Sequence, residues 1–243
     1  MEENDEKSCS ALIMVMVEKT CFDDVFDTVI LADGDFPTSA EPLRILYGAR
    51  RLVCCDGAFT TLLSHRHEEA ERARMEGRLY VVGDGDSLPT GIKREYADII
   101  TQVDEQDYND LTKATRFSLT LPGASPQRIA YLGATGKRED HTLGNIALMA
   151  YYRREFGIQP EMFTDYGWFV TCVGNATLPT FARQQMSIFN LGCTRLESKG
   201  LRWQSYPYRE LWQGTLNECT GSSVSFQADG LYLVFRTYKA KGL

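Results

Sequence analysis

No Cys-x-x-Cys pair occurs among the seven cysteines, and their number is odd. That excludes a fully paired disulfide framework or a zinc ribbon as the organising device, and it points to reduced thiols in a cytoplasmic setting. No apolar stretch is long. Ala11 to Val17 is apolar for seven residues only, with acidic residues before it. It is too short to span a bilayer and lacks the basic start of a signal peptide, so no membrane partner is expected. No long basic run accompanies the net charge of -7, so a nucleic-acid backbone is not an expected partner either. Internal repeats and low-complexity segments are absent. No Ser-His-Asp or Cys-His set stands out, which leaves positioning, metal and charge as the available chemistry.

What is present is an ordinary globular balance, 43% hydrophobic and 24% charged over 243 residues, enough for one large domain or two small ones. Short apolar runs alternate with helical patterns up to about residue 165. They begin with Thr28-Val29-Ile30-Leu31-Ala32 and continue through Leu52-Val53-Cys54-Cys55, Leu79-Tyr80-Val81-Val82, Asp98 to Val103, Gln127 to Leu132 and Pro160 to Thr164. Between them, Pro42–Tyr47, Phe59–Glu76, 91–97, Asp110–Leu121 and Asp140–Phe156 read as helices. This alternation predicts a Rossmann-like parallel sheet with helices on both faces. Beyond Asp165-Tyr166-Gly167 the helical spacing disappears and short β-type runs recur between turns, predicting a small all-β sandwich. The expected organisation is a loosely ordered arm over 1–22, an α/β unit over 23–165 and a β unit over 166–243.

Acids follow every early strand: Asp33 and Asp35, Asp56, Asp84 and Asp86, Asp104 to Asp107, and Glu139-Asp140. A single such loop is a solvated turn. Acids after five parallel strands converge on the carboxyl edge of the sheet, where open α/β folds bind ligands, and where like charges need a cation. Gly83-Asp84-Gly85-Asp86-Ser87 is the sharpest stretch, with two carboxylates among glycines, suited to magnesium, a hard cation with oxygen ligands. Asp107-Tyr108-Asn109-Asp110-Leu111-Thr112-Lys113 opens a helix. Asp107 or Asn109 fits the N-cap, Asp110 fits a metal, and Thr112 and Lys113 fit phosphate oxygens. Gly133 to Arg138 is glycine-bearing but is not a Walker A loop, since Tyr131 and Arg138 stand where that loop needs Gly and Ser or Thr. Arg138 offers a planar fork for phosphate. Asp140 suits a cap or a metal, and His141 reads as a helix-start surface residue.

Together these motifs resemble the thiamine pyrophosphokinase (thiamine diphosphokinase) family. Asp56-Gly57-Ala58 is similar to its element after the second strand, and Gly83–Ser87 to its Gly-Asp-x-Asp-Ser motif. Glu105 to Lys113 resembles its Asp-Gln-x-x-Thr-Asp-x-Thr-Lys motif, and Gly133 to Ile146 its Gly-Gly-x-x-Gly-Arg-x-Asp-His-Thr-Leu-x-Asn-Ile motif. Lys199 to Trp203 and Gly214 to Glu218 resemble segments of its second domain. The resemblance implies transfer of the terminal diphosphate of ATP to the thiamine hydroxyl, giving thiamine diphosphate and AMP. It implies Asp84, Asp86 and Asp110 on Mg2+, and Asp56, Gln106, Thr112, Lys113, Arg138 and Asp140 around ATP. It implies a homodimer with shared active sites, thiamine lying against Trp203, Asn217 and Glu218. Tyr206, Tyr208 and Trp212 follow without an assigned side. Three positions depart from the pattern: Glu105 for Asp, Asn109 for Thr, and Leu216 where many relatives have Ser. The alternatives are another Mg2+-dependent ATP-using phosphotransferase or hydrolase, and a non-catalytic nucleotide- or thiamine-binding regulator.

Overall fold

The structure is a computed structural model that describes residues 26–122 and 127–242. The expected arm over 1–22 lies outside the described residues.

Six strands run in parallel through the first part: β1 (Thr28–Leu31), β2 (Leu52–Cys55), β3 (Leu79–Gly83), β4 (Ile100–Gln102), β5 (Arg128–Leu132) and β6 (Gln159–Phe163). Their order is β6-β5-β1-β2-β3-β4. Every residue of β1 and β2 is buried, the signature of strands covered on both faces. The helices between them are α1 (Ala40–Tyr47), α2 (Asp56–Met75), α3 (Thr90–Glu95), α4 (Asp110–Thr120) and α5 (Glu139–Glu155). Strand order reverses after β4. With right-handed crossovers that reversal puts α4 and α5 on the face opposite α1 and α2. The α4–α5 layer is sealed by a buried hydroxyl network. Thr112 Oγ1 lies 2.7 Å from the Tyr152 hydroxyl, and Thr115 Oγ1 lies 3.1 Å from that of Tyr131.

The second part adds β7 (Gly167–Val173), β8 (Ala176–Pro179), β9 (Gln184–Asn190), β10 (Leu196–Lys199), β11 (Asn217–Glu218), β12 (Ser223–Ala228) and β13 (Leu231–Ala240). The turn at Asp165-Tyr166-Gly167 folds β7 back antiparallel on β6, with Glu161 opposite Val170 and Phe163 opposite Trp168. The sheet therefore runs without a break into the second half as β11-β9-β13-β7-β6-β5-β1-β2-β3-β4. A separate three-stranded sheet, β10-β12-β8, forms the other layer of the β-rich half. Phe226 of β12 and Tyr232 of β13 meet across the layers with ring centroids 5.3 Å apart. Burial alternates along β9 and β12, as it does in antiparallel strands with one wet face. The fold class read from the sequence is borne out.

Asp165 ties the turn back to the first half. Its carboxylate accepts the backbone N–H groups of Thr38 and Ser39, at 2.9 Å each, and the Thr38 hydroxyl, capping the start of α1. Among the described residues, no helix is long and apolar enough to cross a membrane.

Candidate active site

The strand order turns at β1, between β5 on one side and β2 on the other. At that switch point the loops after β1 and β5 hold each other. Gly34 N–H donates to Gly133 O (2.6 Å) and Asp35 N–H to Thr135 O (2.8 Å), while Lys137 Nζ reaches Asp33 Oδ1 at 2.9 Å. Gly136 has a φ of 83°, and a Cβ there would run into the Asp35 carboxylate. Only glycine serves at such a position.

The carboxylate cluster sits one and two strands further along. Asp56, the first residue of α2, is 1% exposed. Its Oδ2 accepts the Gly85 N–H at 2.5 Å, and its Oδ1 is buried without a hydrogen-bond partner. Burial pushes its carboxyl up, and the neighbouring charges of Asp110 and Asp84 push the same way against the Gly85 N–H. Gly83 is what lets Asp56 sit there, because a Cβ on it would collide with that carboxylate. Asp84 Oδ1 accepts the Asp86 N–H at 3.1 Å. That bond, with help from Lys113, Gln106 and Asp56, holds the Asp84 carboxyl below the usual range. The Asp86 side chain is exposed.

Asp110 enters from the other side, at the first position of α4. The helix is capped by Asn109, whose Oδ1 accepts both the Thr112 N–H (3.0 Å) and the Thr112 hydroxyl (2.8 Å); such a cap is worth about 1 kcal/mol. Lys113 is buried one turn along. Its ammonium lies 3.3 Å from Asp110 Oδ1 and 3.7 Å from Asp84 Oδ2. Among the described residues no three His, Cys, Asp or Glu side chains stand as a ready metal cage. The physical reason is visible in the cluster: Lys113 stands against two of the three expected ligands, and the third, Asp86, is turned to solvent.

The remaining expected residues are placed unevenly. Gln106 contacts Asp84. Thr112 is only 1% exposed, its hydroxyl engaged by Asn109 and Tyr152. Its hydroxyl thereby helps fix the start of α4. Arg138 and Asp140 face each other fork to fork, at 2.6 and 3.1 Å, in solvent, and Arg138 lowers the Asp140 carboxyl. His141 is exposed, as expected.

In the β-rich half, Asn217 and Trp203 are locked together. The Trp203 N–H donates to Asn217 Oδ1 (3.2 Å), and Asn217 Nδ2 donates to Trp203 O (2.7 Å). The Trp203 side chain stays 51% exposed. The Arg202 guanidinium lies over its ring, 4.9 Å from the centroid, and 3.8 Å from Glu218 Oε1. Leu216 is exposed with a φ of 63°, a left-handed backbone unusual for leucine.

Two residues near the site were missed in the sequence. Lys93 of α3 comes within 3.4 Å of where a Gly85 Cβ would lie; a lone lysine on a charged helix gives no signal. Asn145 of α5 accepts from Asn109 Nδ2 (3.4 Å) and donates to Ala134 O (2.8 Å). It links the cap of α4 to the loop after β5; in the sequence it stood within the Gly133–Ile146 motif without a role of its own.

Comparison with known proteins follows the same division. The thiamin pyrophosphokinase catalytic domain matches residues 43–159, and the thiamin pyrophosphokinase substrate-binding domain matches residues 167–235. Thiamine pyrophosphokinase 1 of Oryza sativa subsp. japonica is 32% identical over 114 residues, which cover 42% of this chain and 43% of that protein. The match thus spans less than half the length of this curated relative. The solved thiamin pyrophosphokinase of Geobacillus thermodenitrificans is similar with a TM-score of 0.66 and 21% identity, over 89% of this chain and 99% of that one. Yeast thiamin pyrophosphokinase gives a TM-score of 0.69 and 16% identity, over 88% and 87%. The Candida albicans thiamin pyrophosphokinase gives 0.68 and 14%, over 88% and 90%. At these identities the solved structures speak for the fold. The two family models, side by side over most of the sequence and in the order of its two halves, establish that this chain belongs to the thiamin pyrophosphokinase family.

Proposed function

We propose that this protein transfers the terminal diphosphate of ATP to the hydroxyl of thiamine, giving thiamine diphosphate and AMP. The observation that carries the reading is the cluster of Asp56, Asp84, Asp110 and Lys113 at the carboxyl edge of the parallel sheet, within the matched catalytic domain. In the transfer, the thiamine hydroxyl oxygen bonds to the β-phosphorus and its proton is released to solvent. The bond from that phosphorus to the oxygen on the α-phosphorus breaks, and its electron pair leaves on AMP.

The residues fit a magnesium ion. They are hard oxygen donors, Asp56 keeps a buried oxygen without a partner, and an ammonium already sits against Asp84 and Asp110. Asp84, Asp86 and Asp110 would hold the ion, with Asp56 behind them. Bound there, Mg2+ would neutralise charge on the transferred phosphates. Lys113, Gln106 and Arg138 would orient the triphosphate, and Asp140 would hold the Arg138 fork. Thr112 serves by fixing the start of α4, which aims Asp110.

Thiamine carries a fixed positive ring charge. The Trp203 face already accepts one cation, Arg202, which supports its use for another. Asn217 fixes the Trp203 backbone, and Glu218 adds negative charge beside it. On this reading the α/β unit, 23–165, handles Mg-ATP and the β unit, 166–243, handles thiamine. The site is shared between two copies in a homodimer. Support comes from the exposed side chains of Trp203, Tyr206, Leu211, Trp212 and Leu216, gathered within fourteen residues of sequence. Buried free thiols support a cytoplasmic setting.

The test is product analysis by phosphorus NMR with thiamine, ATP and Mg2+. Equimolar AMP and thiamine diphosphate, abolished by EDTA, are expected. Accumulation of ADP, or of AMP and pyrophosphate independent of thiamine, would overturn the reading.

A further inference from the structure

Lys113 is 4% exposed, and lysine is almost never buried without a partner. Its partners are two carboxylates from different elements. Asp110 is one turn earlier on α4, the spacing that puts two side chains on one face. Asp84 arrives from the loop after β3, against which α4 packs. Asp56 lies behind, with Gly85 N–H on one oxygen and nothing on the other. Without a positive charge among them, three carboxylates from three elements would repel one another at the point where β2, β3 and α4 meet. Lys113 supplies that charge from inside the protein.

We propose that Lys113 is a built-in counter-cation, a positioning residue that holds Asp84 and Asp110 together while no metal is bound and competes with metal for them. This rests on the reading that these carboxylates take a divalent cation. The ammonium reaches both carboxylates from a single buried stem, so it can quit them by rotating its last bonds without moving α4. Once the carboxylates take a divalent cation, the displaced ammonium is beside the place where the triphosphate is expected and carries the sign that triphosphate needs. Metal alone must therefore expel Lys113 into a poorly solvated position. Metal together with nucleotide gives it a new anionic partner. The consequence is order: the site binds divalent metal weakly by itself and strongly with ATP. An unloaded enzyme then holds its ligand geometry without retaining free cation.

The test is Mn2+ titration of the nucleotide-free protein by electron paramagnetic resonance, with thermal melts with and without Mn2+. Lys113→Met keeps the stem and removes the charge; Lys113→Gln is the second neutral variant, should the first not purify folded. A neutral variant is expected to bind Mn2+ about tenfold tighter than the parent, the size expected for removing one adjacent positive charge at a partly screened site. Its melting temperature should fall without metal and recover more than the parent's when Mn2+ is added. Asp84→Asn should lose Mn2+ binding, leaving the free-ion signal undiminished. Unchanged or weaker Mn2+ binding in both neutral variants, with binding still abolished by Asp84→Asn, overturns the counter-cation and leaves the carboxylate site standing. No Mn2+ binding in the parent or any variant overturns the carboxylate site and the counter-cation with it.

Discussion

Asp84 and Asn217 belong to opposite ends of one sheet. Asp84 follows β3 and Asn217 lies on β11, and eight strand-to-strand steps separate those two strands. At the ordinary spacing between strands this is a path of roughly 38 Å across the sheet. Reacting atoms must approach to about 3–3.5 Å. Along the sheet, the residues proposed for the metal and those proposed for thiamine lie eight strands apart. In the proposed homodimer, a second copy placed so that its β11 end meets the β3 end of the first would bring them together, and twofold symmetry would make two equal sites.

Replacing Asp84 or Asp110 with Asn is expected to lower kcat by about 100-fold or more, the scale seen when one preorganised charge-stabilising group is lost. Both side chains are partly exposed and lie at a strand end and a helix start, so melting temperatures should stay near the parent's. Steady-state rates and melts on the same preparations check this; near-parental rates in both variants would remove these residues from the metal site.

Acid should loosen the join between the two halves through Asp165. Partial burial pushes its carboxyl up, but the Ser39 N–H and the hydroxyl and N–H of Thr38 outweigh that and hold it below the usual range. A carboxyl lowered on folding contributes stability that is complete above its unfolded value, about 3.9, and is lost as pH falls through the lower folded value. Asp165→Asn should cost about 1 kcal/mol at neutral pH, as loss of a helix cap does, and the parent-to-variant difference should shrink below about pH 4. Urea melts across pH measure both quantities. A difference independent of pH would remove the carboxylate from the account.

The order of the fold was legible in the sequence because its signals are local. Thr28–Leu31 and Leu52–Cys55 are unbroken apolar runs, and the structure makes each a strand buried on both faces. Asp110 to Thr112 carries a start signal, and Asn109 is the cap. β8 is four residues, Ala-Thr-Leu-Pro, too short to give a strand signal in the sequence; it stands as an edge strand of the small sheet, where a terminal proline is tolerated. The join at Asp165–Gly167 reads in sequence as a change of pattern, and only pairing shows that β6 and β7 continue one sheet. Within the site, the acids were visible at strand ends, but the position of Lys113 was not. Its i, i+3 relation to Asp110 is in the sequence; its approach to Asp84 depends on how α4 packs on β3. The contact of the Thr112 hydroxyl with Tyr152, forty residues away, was likewise not legible.

Trp203→Ala should raise the KM for thiamine about tenfold or more, the scale of a desolvated cation–π contact, while the KM for ATP changes little. Asn217→Ala should act in the same direction by releasing the Trp203 backbone, with some loss of stability from its buried amide. Initial rates with each substrate varied in turn separate the two; an equal rise in both KM values would point to general loosening of the fold.

The five described cysteines, Cys54, Cys55, Cys172, Cys193 and Cys219, are all buried and free. Burial raises every one of these thiols, to about 11 for Cys172 and Cys219. They should react slowly with an aromatic disulfide reagent at pH 8 and become fast in denaturant. Rapid labelling of any of the five in the native protein, located by mass spectrometry, would contradict this placement.

Mixed assembly of two impaired variants, assayed with thiamine well below the parent's KM so that the weakened thiamine end shows in the rate, tests the shared site most directly. Asp84→Asn damages only the nucleotide end and Trp203→Ala only the thiamine end. Co-expressed with different affinity tags and purified through both, they form dimers in which one of the two sites draws an intact β3 end and an intact β11 end. The account predicts that the doubly purified species makes thiamine diphosphate at up to about half the parent's rate, since one of two symmetric sites is whole. Doubly purified dimers that form and are no faster than either variant alone, while each variant still binds the ligand its own substitution leaves untouched, would contradict it.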